Sequence, residues 1–366
     1  MKLKKLFAGV VAAAMMLTMA VPAFAAETGV GNLTLEDNKY VIQKGYALVG
    51  EGTSPAGTFN FEIKGTGKNN STATTIPTPT MTPSVTYGAG DATAKSSDAK
   101  SVKDITINFA PDDTLIYTSV GKYTYEIKET VKENEKILGV GYDEDPITMA
   151  VYVVNVLNEQ GEPTGQLKIS EISLTKNGHK ITGKVDGDTN ENAAFLNTYT
   201  ANKLNVKKTV NGDAADKNVP FNFDVSFTNE SGKVWSNAIV VKKGNETQTI
   251  TPNSNGVYSI SLKHGESLDF TNIPAGLKYN VDEMNANSAM DDGDKITVNE
   301  TEYTVSYDNV KAGQMEKEAL ATVVKNTAKG FIDTGVILDN APYMLMLAVV
   351  AGGAMTLVIK KRREEE

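Results

Sequence analysis

Residues 204–210 read Leu-Asn-Val-Lys-Lys-Thr-Val, and residues 123–129 read Tyr-Thr-Tyr-Glu-Ile-Lys-Glu. In both stretches apolar residues recur at every second position, which is the period of a strand with one face toward a core. Similar alternation recurs in short segments separated by Gly, Asn, Asp and Pro, without a long helical period. The pattern predicts an all-β chain built from sandwiches.

Two series of strands are predicted, with a break near Thr200. A stretch rich in Ser, Thr, Pro and Gly, residues 65–103, is predicted to be a long connection with one weak strand at 84–87. We therefore predict an N-terminal domain at 26–200 and a C-terminal domain at 201–329. The predicted strands are 40–48, 58–63, 104–109, 121–130, 148–156 and 193–199 in the first domain, and 203–210, 220–227, 238–242, 257–262, 278–283, 301–308 and 321–326 in the second.

The N-terminus has the features of a secretory signal peptide. Three lysines precede an apolar run from Leu6 to about Met19, and Ala23-Phe24-Ala25 supplies the small-x-small pattern that signal peptidase requires. The apolar run is short for a membrane span, which disfavours the alternative of an N-terminal anchor. We predict a signal peptide at residues 1–25, cleaved after Ala25.

Composition excludes several classes of function. The 366 residues include no cysteine, so an exported chain of this kind has no disulfides, zinc–thiolate sites or cysteine nucleophiles. The formal net charge is −9, and it becomes more negative when the signal-peptide lysines are removed. An acidic chain without a basic patch argues against nucleic acid and anionic lipid as partners.

The C-terminus carries the most specific pattern. Residues 341–359 are uncharged and mostly apolar, long enough for a transmembrane helix, and the basic residues 360–363 follow. Upstream lies Phe331-Ile332-Asp333-Thr334-Gly335, which resembles a sortase sorting signal of the form Leu-Pro-x-Thr-Gly, with Phe and Ile replacing Leu and Pro. The resemblance implies that sortase cleaves between Thr334 and Gly335 and passes the threonine carbonyl to an amine. The alternative is a tail-anchored membrane protein with an accidental Thr-Gly pair.

Each predicted domain places a lysine, a glutamate and an asparagine on inward-facing rows. Alternation puts a lysine among apolar residues of the first strand, a glutamate at the inward end of a middle strand, and an asparagine on the last strand. Buried charges are costly unless paired, so the residues require an explanation. The sets are Lys44, Glu129 and Asn197 in the first domain, and Lys208, Glu283 and Asn326 in the second.

Two interpretations of these sets remain open. One is a buried salt bridge beside an amide. The other is chemistry, because burial lowers the pKa of lysine and raises that of a carboxylic acid, so the pair can exist as a neutral amine and a neutral acid. A neutral amine could attack the asparagine amide carbon and expel ammonia, with the glutamate moving protons.

The two sets, together with Phe195-x-Asn197-x-Tyr199 and Gly141-Tyr142-Asp143, resemble the major pilins of Gram-positive bacteria. That resemblance implies tandem immunoglobulin-like sandwiches of the collagen-adhesin B type, each closed by a self-formed Lys–Asn isopeptide bond. The bonds would join Lys44 to Asn197 with Glu129 as catalyst, and Lys208 to Asn326 with Glu283 as catalyst.

The resemblance also implies a function and partners. The chain would be the shaft subunit of a sortase-assembled pilus anchored to the cell wall, acting on no diffusible substrate and needing no cofactor or metal. Its partners would be sortase, other copies of itself, and peptidoglycan or minor pilins. The intersubunit acceptor would be a lysine late in the first domain, with Lys184 as the candidate and Lys180 and Lys176 as alternatives.

Two other functions are considered beside that of a pilus shaft subunit, a monomeric adhesin and an enzyme. A monomeric wall-anchored adhesin would share every feature except polymerisation. An enzyme is disfavoured, because His179 and His264 lie in turn-like contexts without a nucleophile–base pattern. Residues 186–190 and 291–294 are rich in Asp but lack a full calcium ligand set, so turns explain them better.

Overall fold

The computed structural model describes residues 38–328, apart from 73–74, 96–97, 186–191, 253–254, 285–293, 310 and 317. The described chain is almost entirely strand, with two short 3-10 helices at Ala99–Ser101 and Glu133–Glu135. The strands are β1 Lys39–Gly50, β2 Gly57–Lys68, β3 Thr80–Met81, β4 Ser84–Tyr87, β5 Val102–Asn108, β6 Gly121–Thr130, β7 Val140–Gly141, β8 Ile147–Leu157, β9 Pro163–Lys176, β10 His179–Ile181, β11 Phe195–Asn211, β12 Phe221–Thr228, β13 Ile239–Lys243, β14 Glu246–Ile250, β15 Asn255–Leu262, β16 Ser267–Pro274, β17 Lys278–Glu283, β18 Asp294–Val298, β19 Thr301–Asp308, β20 Ala312–Gln314 and β21 Leu320–Ala328.

These strands form two sandwiches that share one long sheet. In the first sandwich, a sheet ordered β10-β9-β8-β6-β2-β4 covers the part of the long sheet made by β3, β5, β1, β7 and the start of β11. In the second, the sheet β15-β12-β17-β20 covers the end of β11 with β13, β14, β16, β18, β19 and β21. The predicted all-β sandwich fold is confirmed.

Strand β11 is common to both sandwiches. It runs parallel to β1 in the first sandwich and parallel to β21 in the second. The first and last strands of each sandwich are therefore neighbours. Hydrogen bonding along this one strand joins the two halves of the molecule into a single sheet of eleven strands.

The predicted strand break near Thr200 is wrong, because β11 continues through it without interruption. Buried residues occupy odd positions as far as Ala201 and even positions from Asn202 onward. Successive side chains of a strand point to opposite faces, so the buried face changes within an unbroken strand. The neighbouring strand β16 bulges at the same level, between the pairs of Asn202 and Leu204.

Each sandwich has its own core. The first is rich in tyrosine and isoleucine, and the second is built on Phe221, Phe223, Phe227 and Phe270. Leu138 of the first sandwich packs in the second core, and its N–H donates to the carbonyl of Val234 at 2.8 Å. The two sandwiches are thus joined by a side chain as well as by β11.

Other differences lie in the connections and in strands that were not predicted, including the buried strand β16 within the long sheet. The stretch predicted as one long connection from residue 65 contains the end of β2 and the short strand β3, and β4 forms where the weak strand was predicted. Strand β9 was not predicted, because its first half is exposed and polar and carries little alternation. Within the described residues no helix has the length and apolar character needed to span a membrane. The predicted signal peptide and the span at 341–359 lie outside those residues.

Candidate functional site: two buried Lys-Glu-Asn clusters

The lysine and asparagine of each sandwich lie on adjacent parallel strands. Lys44 of β1 is paired with Phe195, two residues before Asn197 of β11. Lys208 of β11 is paired with Val324, two residues before Asn326 of β21. All four polar residues are fully buried. The two sandwiches therefore present the same offset between amine and amide.

In the first sandwich, Glu129 lies between the two other groups. Its Oε2 is 2.8 Å from Lys44 Nζ, an ion-pair distance although the angle is poor for a hydrogen bond. Its Oε1 accepts a 2.5 Å hydrogen bond from Asn197 Nδ2. One carboxyl group thus contacts the amine with one oxygen and the amide nitrogen with the other.

The second sandwich repeats the arrangement. Lys208 Nζ lies 3.1 Å from Glu283 Oε1 and 3.2 Å from Oε2, and Asn326 Nδ2 donates to Oε1 at 2.8 Å. The structure therefore brings together both sets of residues that alternation had selected.

Phenylalanine rings enclose both clusters. Lys44 Nζ lies 5.0 Å from the ring centre of Phe59, and Lys208 Nζ lies 4.4 Å from that of Phe221 and 5.3 Å from that of Phe223. Glu129 is paired with Phe61 across β2 and β6, as Glu283 is paired with Phe223 across β12 and β17. These rings keep water from the reactive groups.

A repeated tripeptide, which strand alternation alone does not single out, marks these rings in the sequence. Phe-Asn-Phe occurs at residues 59–61 and again at 221–223, at the equivalent strand of each sandwich. The outward Asn separates two inward rings, because alternate residues share a face. A search for repeated tripeptides would have found it.

Burial changes the proton affinity of these groups. Loss of hydration lowers the pKa of Lys44 to about 8, against a smaller opposing effect of the Glu129 charge. The pKa of Lys208 is lowered to about 8 for the same reason, with Glu283 opposing. Desolvation raises the pKa of Glu283 above its ordinary value. Both shifts in the second sandwich favour a neutral amine beside a neutral acid.

Such a site can form an amide bond without a cofactor. An uncharged lysine nitrogen is a nucleophile, and a carboxyl group that contacts both nitrogen atoms can carry a proton from the attacking amine to the departing one. The alternative, a permanent buried ion pair, uses the same contacts but leaves two charges in an apolar core. Neither reading requires a metal, and the described residues contain no group of three or more metal-binding side chains.

The three candidate acceptor lysines differ in availability. Lys176 is largely buried and binds Asp143 Oδ2 at 2.5 Å, so its amine is already engaged. Lys180 is exposed on the edge strand β10. Lys184 is half-buried in the segment that follows, beside Gly183, whose carbonyl accepts a 2.7 Å hydrogen bond from the N–H of Gln43.

The two histidines show no catalytic partnership. His179 is exposed at the start of β10, and His264 Nδ1 accepts a hydrogen bond from the N–H of Val210 at 2.9 Å. The sorting sequence Phe331–Gly335 and cleavage residue Ala25 lie outside the described residues, as do 186–190 and most of 291–294.

The two sandwiches match two different protein-family models. Residues 40–200 match the Spy0128-like isopeptide containing domain, and residues 202–331 match a domain of unknown function, DUF7601. A curated pilin of Streptococcus pyogenes serotype M1 is 28% identical over 359 residues, covering 93% of this chain and 96% of the relative. Over nearly its whole length the chain is thus similar to a Gram-positive pilin. The resemblance predicted from the sequence is confirmed.

Other similar proteins match a shorter part of the chain or have lower sequence identity. The pilus tip adhesin Cpa of S. pyogenes is 33% identical over 119 residues, which cover 30% of this chain and 17% of the adhesin. Among solved structures, one S. pyogenes major pilin is 20% identical with a TM-score of 0.46, covering 79% of this chain and 97% of its own. Another is 22% identical with a TM-score of 0.43, covering 80% and 98%.

Proposed function

We propose that this chain is the shaft subunit of a sortase-assembled surface pilus, and that each sandwich is closed by a Lys–Asn isopeptide bond that it forms itself. The bonds join Lys44 to Asn197 and Lys208 to Asn326. The observation that carries the proposal is the repeated burial of an amine, a carboxyl group and an amide in contact, in a chain without cysteine.

Glu129 and Glu283 act as the proton carriers. The lysine nitrogen attacks Cγ of the asparagine, and the carbonyl electrons move to Oδ1. The carboxyl group passes the amine proton to Nδ2, the Cγ–Nδ2 bond breaks, and ammonia leaves. The products are one secondary amide and one ammonia, so the step needs no oxidant or added energy source.

Sortase joins one copy to the next in this proposal. It cleaves after Thr334 and transfers the threonine carbonyl to a lysine of another copy, while the span at 341–359 and its basic tail hold the precursor in the membrane. The last subunit is passed to peptidoglycan or to a minor pilin. The signal peptide at residues 1–25 directs export.

Lys184 remains the preferred acceptor. Two hydrogen bonds fasten its segment to β1: Gln43 N–H donates to the carbonyl of Gly183 at 2.7 Å, and Val185 N–H donates to Gln43 Oε1 at 3.0 Å. Gly183 has a φ of +75°, and a side chain there would press on Ile42, so glycine permits the close approach. An acceptor on such a segment is held at a fixed place for the incoming Thr334.

With Lys184 as acceptor, load along the fibre has a short covalent path. It enters just before β11, follows that strand to Lys208, crosses to Asn326 and leaves toward Thr334. Residues 209–325 lie outside this path, so tension does not act on the strands that complete the second sandwich. The bond between Lys44 and Asn197 fastens the rest of the first sandwich to the same strand.

Expression with a pilus sortase in a Gram-positive host tests the proposal. We expect a ladder of high-mass species resistant to boiling in SDS, lost in Thr334→Ala and Lys184→Ala and kept in the matched control Lys180→Ala. A ladder that persists in Lys184→Ala and disappears in Lys180→Ala would identify Lys180 as the acceptor and contradict the assignment to Lys184. Wall-bound monomer without any ladder would favour the alternative, a monomeric adhesin.

A further inference from the structure

The two clusters differ at the oxygen of the asparagine amide. Asn197 Oδ1 accepts a 2.8 Å hydrogen bond from the backbone N–H of Asp143. Asn326 Oδ1 is buried and receives no hydrogen bond from any residue that the structure describes. The first sandwich therefore supplies a donor to this oxygen that the second lacks in its described part.

That oxygen is where charge develops in the proposed reaction. When Lys44 Nζ bonds to Cγ of Asn197, the carbonyl π electrons move to Oδ1, which becomes an oxyanion until the Cγ–Nδ2 bond breaks and ammonia departs. A fixed backbone N–H aimed at such an oxygen stabilises the tetrahedral intermediate more than the starting amide, because the oxygen is more negative in the intermediate. The N–H of Asp143 already lies at hydrogen-bond distance before the attack.

The side chain of Asp143 holds its own backbone in place. Oδ2 accepts hydrogen bonds from the N–H of Leu196 at 2.8 Å and from Lys176 Nζ at 2.5 Å. Lys176 in turn donates to the carbonyl of Ala194 at 3.2 Å. The carboxylate is thus fastened to the residues that lead into Asn197.

The preceding residues bring the loop to β11. Strand β7 pairs with β11 through Val140 and Tyr199. Gly139 has a φ of +83°, and a side chain there would come within 2.9 Å of the carbonyl oxygen of Thr200. Glycine is needed for this approach, which delivers Asp143 next to Asn197.

We propose that the backbone N–H of Asp143 is the oxyanion donor of the first cross-linking site, and that the Asp143 carboxylate and Lys176 are its positioning groups. The inference rests on the proposed isopeptide chemistry and adds a role for Asp143 and Lys176. It also gives Lys176 a role other than that of intersubunit acceptor.

Removal of that single N–H is the direct test. The full chain is translated in a cell-free system containing lipid nanodiscs, with the α-hydroxy analogue of aspartate inserted at position 143, so that an ester replaces the amide and the side chain is kept. The matched control carries the same analogue at Asp145, in the same loop as Asp143, whose side chain accepts a hydrogen bond from Asn177 Nδ2 at 2.7 Å. Branched peptides joining Lys44 to Asn197 and Lys208 to Asn326 are quantified over time by mass spectrometry after digestion.

We expect the ester at 143 to slow formation of the Lys44–Asn197 peptide roughly a hundredfold, while the Lys208–Asn326 peptide forms at its usual rate and so reports correct folding of that part. The ester at 145 should leave both rates unchanged. An unchanged rate with the ester at 143, or equal slowing with the ester at 145, would overturn the proposal. If neither branched peptide forms in the unsubstituted chain, the proposed function itself fails.

A second variant tests the positioning groups. Lys176→Met removes the amine that holds the Asp143 carboxylate but leaves the N–H in place. Formation of the Lys44–Asn197 peptide should be slower than in the unsubstituted chain yet reach completion. Asp143→Asn, which keeps an oxygen for Leu196 N–H, should be slowed less than Asp143→Ala. Equal rates for Asn, Ala and the original residue would rule out a positioning role.

Discussion

Lys208 and Asn326 are offset by two residues in the parallel pair of β11 and β21, and Lys44 and Asn197 have the same offset in the pair of β1 and β11. Side chains two apart on a strand share a face. A long lysine side chain therefore extends along the sheet to the amide of the neighbouring strand instead of meeting it directly. The glutamate carboxyl group of the opposing sheet contacts both the lysine amine and the asparagine amide nitrogen.

Loss of either glutamate should stop its own cross-link and leave the other intact. Glu129→Ala and Glu283→Ala should each leave the purified mature chain one ammonia below the mass of its own sequence instead of two, because the proton carrier between the two nitrogen atoms is gone. Intact-mass measurement followed by peptide mapping checks both. Matched controls are Glu126→Ala on the outer face of β6 and Asp282→Ala next to Glu283, which should each keep the full deficit of two ammonia relative to their own sequences.

Much of this site follows from alternation alone. An inward lysine at 44 and at 208 is visible because the flanking residues of the same face are apolar, and the glutamates and asparagines are selected in the same way. The oxyanion donor could not be found in this way. The N–H of Asp143 belongs to a turn, where no periodicity applies, and its direction depends on how β7 meets β11.

The domain junction shows a second limit. A change in the phase of alternation at Ala201 and Asn202 resembles the end of one strand and the start of another. It is in fact one strand that is covered on opposite faces by two different sheets. Sequence periodicity records which face is buried, and it carries no information on whether the backbone hydrogen bonding is interrupted.

Removal of the second cross-link should destabilise its sandwich. The bond between Lys208 and Asn326 closes a loop of more than a hundred residues, and by analogy with a disulfide it should contribute about 4 to 5 kcal/mol through the unfolded state. Asn326→Ala should therefore lower the free energy of unfolding of the second sandwich by about this amount. Denaturant unfolding followed by Trp235 fluorescence measures it, and Asn222→Ala, at an exposed position of β12, is the control.

The uncross-linked second sandwich should gain stability as the pH rises. In Asn326→Ala the Lys208 amine remains free, and its pKa in the folded state, about 8, lies below the ordinary value of 10.5. Between these values the unfolded chain binds more protons than the folded chain, so the free energy of unfolding increases with pH, by a few kcal/mol at most.

Urea unfolding between about pH 8 and pH 10 checks this sign. The control is Lys208→Met in the same Asn326→Ala background, which lacks the amine and should not show the rise. A fall in stability across this interval that is absent from the control would mean that the folded pKa of Lys208 lies above the unfolded value, contrary to the desolvation argument.

The phenylalanine rings should matter for the rate of bond formation. Phe221→Leu admits water beside Lys208 Nζ, which lies 4.4 Å from the ring centre. A better hydrated amine is protonated more often, so cross-linking of the second sandwich should slow. Phe227→Leu is the matched control, since Phe227 is equally buried on the same strand but packs on Phe270. Both variants lose similar core volume, and only Phe221→Leu should change the time course of ammonia loss.

The mass of the intact mature chain tests the central claim most directly. The account predicts a deficit of two ammonia molecules relative to the sequence, with branched peptides joining Lys44 to Asn197 and Lys208 to Asn326 after digestion. A mass equal to that of the unmodified sequence, with all four residues recovered in linear peptides, would contradict it and leave two buried ion pairs in place of the bonds.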